Sequence, residues 1–204
     1  MTDGTGGVRD GSVRPGKYAR VERERRFLLA APPRPGEATA QRMITDRYLT
    51  GTRLRLRRVD LPDGTSELKF TQKVPHPRPG GVRGLITNTY LSWAEYELLA
   101  SLPAAVLSKT RFSVPPLGID VFGGELRGLV LGEAEFADDD EARSFAPPAG
   151  CVAEVTDDVR FTGGRLVVAS RGDLLGWLAE YGLHPECRAR SDGIGVTAVG
   201  RPRG

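Results

Sequence analysis

Apolar and polar residues alternate with a period of two through most of the middle of the chain. This is the mark of half-buried strands, whose successive side chains point to opposite faces. The pattern predicts eight strands, in "VERERRFLL", "QRMITDRYL", "TRLRLRRV", "SELKFTQKV", "GLITNTYL", "VLSKTRFSV", "LGIDVF" and "GLVLGEAEF", parted by turn chemistry such as "PDG", "PHPRPGG" and "FGGE". Helical spacing replaces the alternation in three places. "SWAEYELLASL" opens with Ser92 and Glu95 at capping-box spacing, "DDDEARSFA" predicts a short acidic helix, and "SRGDLLGWLAEYGL" a longer amphipathic one. So many strands against so few helices predict an α+β, mainly β fold. Its antiparallel sheet is large enough to curl or close, and about three helices flank it.

Composition narrows this picture. With 204 residues, 39% hydrophobic and 27% charged, the chain can build one domain with a substantial core. That domain is expected over 18–184, with residues 1–17 and 185–204, Gly-rich and poor in aromatics, as largely disordered tails. No apolar run is long enough for a signal peptide or a membrane span, so a cytoplasmic protein is expected. Cys151 and Cys187 stand far apart without a CxxC partner, which fits a reducing compartment and gives no thiolate metal site. His76 and His184 are equally isolated. Nothing in the sequence sets the oligomeric state.

The net charge of +3 changes meaning once it is located. Residues 1–17 carry +1 and residues 185–204 carry +2, so 18–184 is neutral. A neutral core counts against sequence-independent nucleic-acid binding, which draws on a basic surface. Any strong field must come from how charge is arranged within the domain.

The alternation fixes which charges share a face. Glu22, Glu24 and Arg26 lie on one side of their strand; Arg53, Arg55 and Arg57 stand opposite Leu54 and Leu56. Glu67, Lys69, Thr71 and Lys73 form a third set, Lys109 and Arg111 a fourth, and Glu133 and Glu135 a fifth. One such strand would be an ordinary solvated edge. Five strands, with purely basic sets and a purely acidic one, point to a ligand. Two carboxylates about 5 Å apart repel by roughly 3 kcal/mol at an effective dielectric of 20, so something positive belongs between converging glutamates. Without a His or Cys cluster, an all-oxygen site suits Mg²⁺ or Mn²⁺. The basic sets call for a polyanion with several oxygens in reach of arginine. A polyphosphate bridged by a metal satisfies both.

In order along residues 18 to about 182, "ERERR", "RLRLRR", "FTQK", "SKTRF", "GIDVF", "LGEAEF" and "AEVTDDVRF" resemble the motifs of the CYTH superfamily, the triphosphate tunnel metalloenzymes. The resemblance implies a closed antiparallel eight-stranded barrel whose polar tunnel binds a triphosphate or nucleoside triphosphate with Mg²⁺ or Mn²⁺. It also implies that the charged faces point inward. Glu22 and Glu24 then resemble a first metal pair, and Glu133 and Glu135 a second. Arg55 and Arg57, with Arg53 as a possible third contact, resemble the phosphate clamp, joined by Lys69, Lys73, Lys109 and Arg111. Arg160 corresponds to the lid or tunnel mouth. Asp120 is similar to a tunnel carboxylate that orients a basic neighbour, with a plain structural salt bridge as the alternative.

Two departures from the family pattern stand out. Arg26 fills the catalytic position that usually holds Lys; a guanidinium can hold a phosphate but does not readily accept a proton from water. Thr87, Asn88 and Thr89 occupy the strand where a Glu-x-Glu pair is usual, which puts a second metal in doubt. Glu67 is a partial substitute, or simply an exposed residue near a turn. The expected function is metal-assisted hydrolysis of a triphosphate, with inorganic triphosphate as the favoured substrate. The alternatives are a non-catalytic polyphosphate or nucleotide-binding module and an adenylyl cyclase.

Overall fold

The computed structural model describes residues 17–75 and 83–185. The expected tails, apart from Lys17 and Pro185, lie outside these residues, as do Cys187 and His76. His184 is exposed.

All eight expected strands form: β1 (Arg20–Leu29), β2 (Ala40–Leu49), β3 (Leu54–Asp60), β4 (Ser66–Pro75), β5 (Arg83–Tyr90), β6 (Ala104–Val114), β7 (Leu117–Phe122) and β8 (Val130–Glu135). A short β9 (Cys151–Glu154) adds a ninth. The sheet order is β5-β4-β3-β2-β6-β7-β8-β1-β9, and β5 also pairs with β1. That last pairing closes eight antiparallel strands into a barrel. Both edges of β1 are used: β8 pairs with Glu24–Leu28 on one side, while on the other β5 takes Arg20–Arg23 and β9 takes Phe27–Leu29. Closure removes the exposed edge that an open sheet of this size would leave.

Among the described residues the helices are α1 (Trp93–Ala100), α2 (Asp139–Ser144), α3 (Gly163–Leu166) and α4 (Arg171–Glu180), one more than the three expected. The extra one, α3, is a single turn opening on two glycines, so it carries no helical period to read. Ser92 accepts from the Glu95 N–H and Glu95 accepts from the Ser92 N–H, so the capping box at α1 forms as its spacing predicts. Ser170 and Asp173 do the same for α4.

Apolar residues line the outside of the wall beneath the helices. Leu56 and Leu68 pack under Tyr96 of α1. Phe27, Leu117, Ile119, Val130 and Ala134 pack with Phe136 and Phe145, which flank α2. The largest apolar cluster lies at one end of the barrel. There Leu28, Leu107, Phe122 and Leu131, from four different strands, meet Phe161, Leu166, Leu174 and Leu178 of the C-terminal segment. Burial of each such side chain contributes about 1.5–3 kcal/mol. The barrel is therefore plugged with hydrocarbon at this end.

Candidate active site

Above the plug the inner wall is charged. Antiparallel register keeps directly opposed residues on one face, and it sets Arg57 beside Asp46, Arg111 beside Asp120, and Arg26 beside Glu133. The expected face of β1 holds: Glu22, Glu24 and Arg26 contact other wall residues. Arg23 and Arg25 reach outward, to Asp139 and to Glu154.

Two buried aspartates organise the cations. Asp120, 0% exposed, receives the Arg111 fork at 2.7 and 2.6 Å and is also paired with Lys109. Asp46, 1% exposed, receives the Arg57 fork at 2.6 and 2.7 Å, and Arg55 Nε lies 3.5 Å from it. Burial alone would raise the Asp46 carboxyl, but Arg57 and then Arg55 outweigh it and hold it below the usual carboxylate range. Arg55 is pinned on a second side: Thr71 donates its hydroxyl proton to Asn88 Oδ1 at 2.8 Å and accepts from Arg55 Nη2 at 3.3 Å. Tyr48 lies beside this pair, where burial pushes its phenol up to about 12 and keeps it neutral.

The glutamates gather on the other side of the wall. Lys73 binds Glu22 at 2.6 Å and stands 4.0 Å from Glu24; Arg111 pairs with Glu133. Burial raises the Glu133 carboxyl, yet Arg111, Lys109 and Lys73 together hold it far below its ordinary value. Glu24 goes the other way: burial and the neighbouring Glu133 and Glu22 raise it, with Lys73 and Arg26 only partly offsetting them. Among the described residues its nearest cation is Arg26 Nε at 3.9 Å. Glu135 lies directly opposite Glu24 and is exposed.

The wall's donor chemistry suits a hard divalent cation, because crowded carboxylate oxygens gain from one. Among the described residues, however, no three acidic, His or Cys side chains stand ready to cage a metal. Glu22 is occupied by Lys73 and Glu133 by Arg111.

Arg26 spans the boundary between wall and plug. Its Nη1 donates to the Phe161 carbonyl at 3.0 Å and its Nη2 to the Thr156 carbonyl at 2.8 Å. Its Nε is buried without a hydrogen-bond partner, as is that of Arg55. Donors buried without a partner are costly to leave so.

Arg53 and Arg160 stand apart from this cluster. Arg53 is exposed, in the turn after Gly51, whose φ of 73° ends the alternation before the strand starts at Leu54. Arg160 is held by Asp158 and Glu180 and stacks over Trp177, on the C-terminal cap. Lys69 pairs at 2.7 Å with Glu67, which is exposed as expected near a turn, and lies over the Tyr90 ring. Of Thr87, Asn88 and Thr89, only Asn88 shares the inner face, opposite Thr71.

Asp46, Tyr48, Thr71 and Asn88 were not singled out from the sequence as site residues. The available signal was phase: in "QRMITDRYL" Asp46 falls on the same face as Arg42 and Tyr48, and Thr71 lies between Lys69 and Lys73.

No family model matches the chain. It is 30% identical over 160 residues to an inorganic triphosphatase of Nitrosomonas europaea (strain ATCC 19718), an overlap covering 73% of this chain and 98% of that protein. A crystal structure of the inorganic triphosphatase NE1496 is 29% identical, with a TM-score of 0.49 over 72% of this chain and 95% of that one. Another, described as the hypothetical protein NE1496, gives 30% identity and the same TM-score over 73% and 99%.

Proposed function

The chain belongs to the family of the Nitrosomonas europaea inorganic triphosphatase, and from that premise we propose that it hydrolyses triphosphate, inorganic triphosphate above all, within the charged cup of its barrel. The order of its motifs, which resembles that of the CYTH superfamily, supports the same reading. The observation that carries the proposal is the basic clamp: Arg55, Arg57, Lys109 and Arg111 are gathered around two buried aspartates. Four cations around two aspartates, with Glu133 reaching Arg111, leave positive charge that favours a compact polyanion.

In this reading Arg55, Arg57, Lys109 and Arg111 hold the phosphate chain and neutralise its charge, with Lys69 and Lys73 nearer the mouth. Arg26, tied by two carbonyls, adds a fixed guanidinium beside the phosphate chain, and a guanidinium is not a base for the attacking water. The water attacks the terminal phosphorus in line, the bridging P–O bond breaks to release the remaining phosphate chain, the water's protons pass to the product phosphate and solvent, and the clamp stabilises the charge on the transferred group. Glu22, Glu24, Glu133 and Glu135 would hold a divalent cation, Mg²⁺ or Mn²⁺, which supplies Lewis-acid polarisation of the phosphate oxygens. A cytoplasmic setting belongs to the same proposal. No described helix is long and apolar enough to cross a membrane.

The test is phosphate release from inorganic triphosphate, ATP, thiamine triphosphate and longer polyphosphate, each with Mg²⁺, Mn²⁺ and EDTA. The expected result is fastest release from inorganic triphosphate and none in EDTA. Tight triphosphate binding with no release under any metal would replace the enzyme by a binding module.

A further inference from the structure

Asp46 is a carboxylate in the wrong place for a simple anion site. It sits almost fully buried on the wall that the proposed function assigns to phosphate, and by charge alone it opposes the ligand. Its geometry gives the reason for its presence. Both oxygens are used by one guanidinium, Arg57 Nε donating to Oδ1 at 2.6 Å and Nη2 to Oδ2 at 2.7 Å, and the Arg55 Nε lies 3.5 Å from Oδ1.

The fork fixes the plane of Arg57, because a bidentate guanidinium–carboxylate pair leaves no rotation about its axis. Of the five guanidinium N–H groups of Arg57, the fork leaves two on Nη1 and one on Nη2 to offer to the cup. Arg55 Nε makes no hydrogen bond to Asp46 but is drawn to it as an ion pair at 3.5 Å, and Arg55 donates to Thr71 of the Thr71–Asn88 pair on its other side. Long arginine side chains lose much rotamer freedom when ordered. Here that freedom is already lost before any ligand arrives.

We propose that Asp46 is a positioning residue for the anion clamp: it pre-orders Arg55 and Arg57, and this ordering outweighs the repulsion its own charge exerts on a bound polyphosphate. The proposal rests on the triphosphate reading of the cup. It makes a prediction whose sign opposes simple electrostatics. Removing a negative charge beside a polyanion should tighten binding if charge alone matters, and should weaken it if ordering matters more.

The experiment is calorimetric titration of inorganic triphosphate into the full-length wild type, Asp46→Asn and Asp46→Glu, with KM and kcat for each. The amide keeps the size but cannot accept the full fork; the longer carboxylate keeps the charge but displaces it. Both variants are expected to bind about 10-fold more weakly or worse, with the loss carried mainly in KM. Affinity equal to or tighter than wild type in Asp46→Asn, or wild-type affinity in Asp46→Glu, overturns the proposal. Should Asp46→Asn fail to fold, Asp46→Glu carries the same test.

A ligand-free measurement separates this inference from the function on which it rests. The Arg57 Nε–H proton, followed by ¹⁵N NMR, should be protected from exchange in the wild type and lose that protection in the variant. If the wild type binds no triphosphate, the functional reading fails; the NMR result still decides whether Asp46 orders the arginines, and equal protection in wild type and variant overturns it.

Discussion

Four strands cross from charge to hydrocarbon within two residues of the inner face. Arg26 gives way to Leu28 on β1, Lys109 to Leu107 on β6, Asp120 to Phe122 on β7, and Glu133 to Leu131 on β8. The two regions share strands, register and backbone hydrogen bonding, yet they are stabilised differently. The plug gains by excluding water from carbon. The wall has to satisfy buried charges one by one, with each aspartate placed between two cations. One region supplies stability and tolerates exchange of shape. The other supplies recognition and does not tolerate loss of a partner.

Leu174→Ala in the plug should have the largest effect on stability, about 2–5 kcal/mol by chemical denaturation, through loss of contact and a cavity. It should leave triphosphate affinity near wild type at temperatures where the protein is folded. A large affinity loss there would break the division between the two regions.

Glu133→Gln in the wall should be milder, destabilising the metal-free protein by about 1–3 kcal/mol, because Arg111 loses a charged partner while Glu24 loses a repulsive one. Melting curves in EDTA and in Mn²⁺ check this. A variant more stable than wild type in EDTA would show that carboxylate repulsion dominates the pair with Arg111.

The pH dependence should come from the wall. Asp46 and Glu133 are held below their ordinary values, so their contribution is complete above the unfolded-state carboxylate range and is lost as pH falls through it toward the folded values. Glu24 has the opposite sign: its raised value means that stability declines as pH rises just above the ordinary glutamate range. Denaturation across pH 2–7 should therefore show a steep acid limb, made shallower in Glu133→Gln. An unchanged limb would place the acid sensitivity elsewhere.

The smallest expected effect is that of Arg53→Ala. This residue stands exposed in the turn outside the clamp, so triphosphate affinity should change less than about 2-fold. A loss as large as that of Arg55→Ala would return Arg53 to the ligand.

Alternation made the faces legible in the sequence, since Glu22, Glu24 and Arg26, and likewise Arg55 and Arg57, share a side by strand geometry alone. Depth was not legible. Nothing in a period of two says that Leu28 closes the barrel while Arg26 lines it, because depth depends on how eight strands are staggered against one another. Asp46 escaped for a related reason: a single acid in an alternating strand looks solvated until the register sets it against Arg57. β9, four residues long, and α3, one turn long, are too short to express a period.

If the aspartate-anchored arginines hold the triphosphate, titration of inorganic triphosphate into the Arg55→Ala/Arg57→Ala double variant must show that hold lost. Charge-assisted contacts contribute about 1.5–3 kcal/mol each, so affinity should weaken by about 3–6 kcal/mol while circular dichroism shows the fold retained. A folded double variant that binds triphosphate as tightly as wild type would remove the arginine clamp from the site.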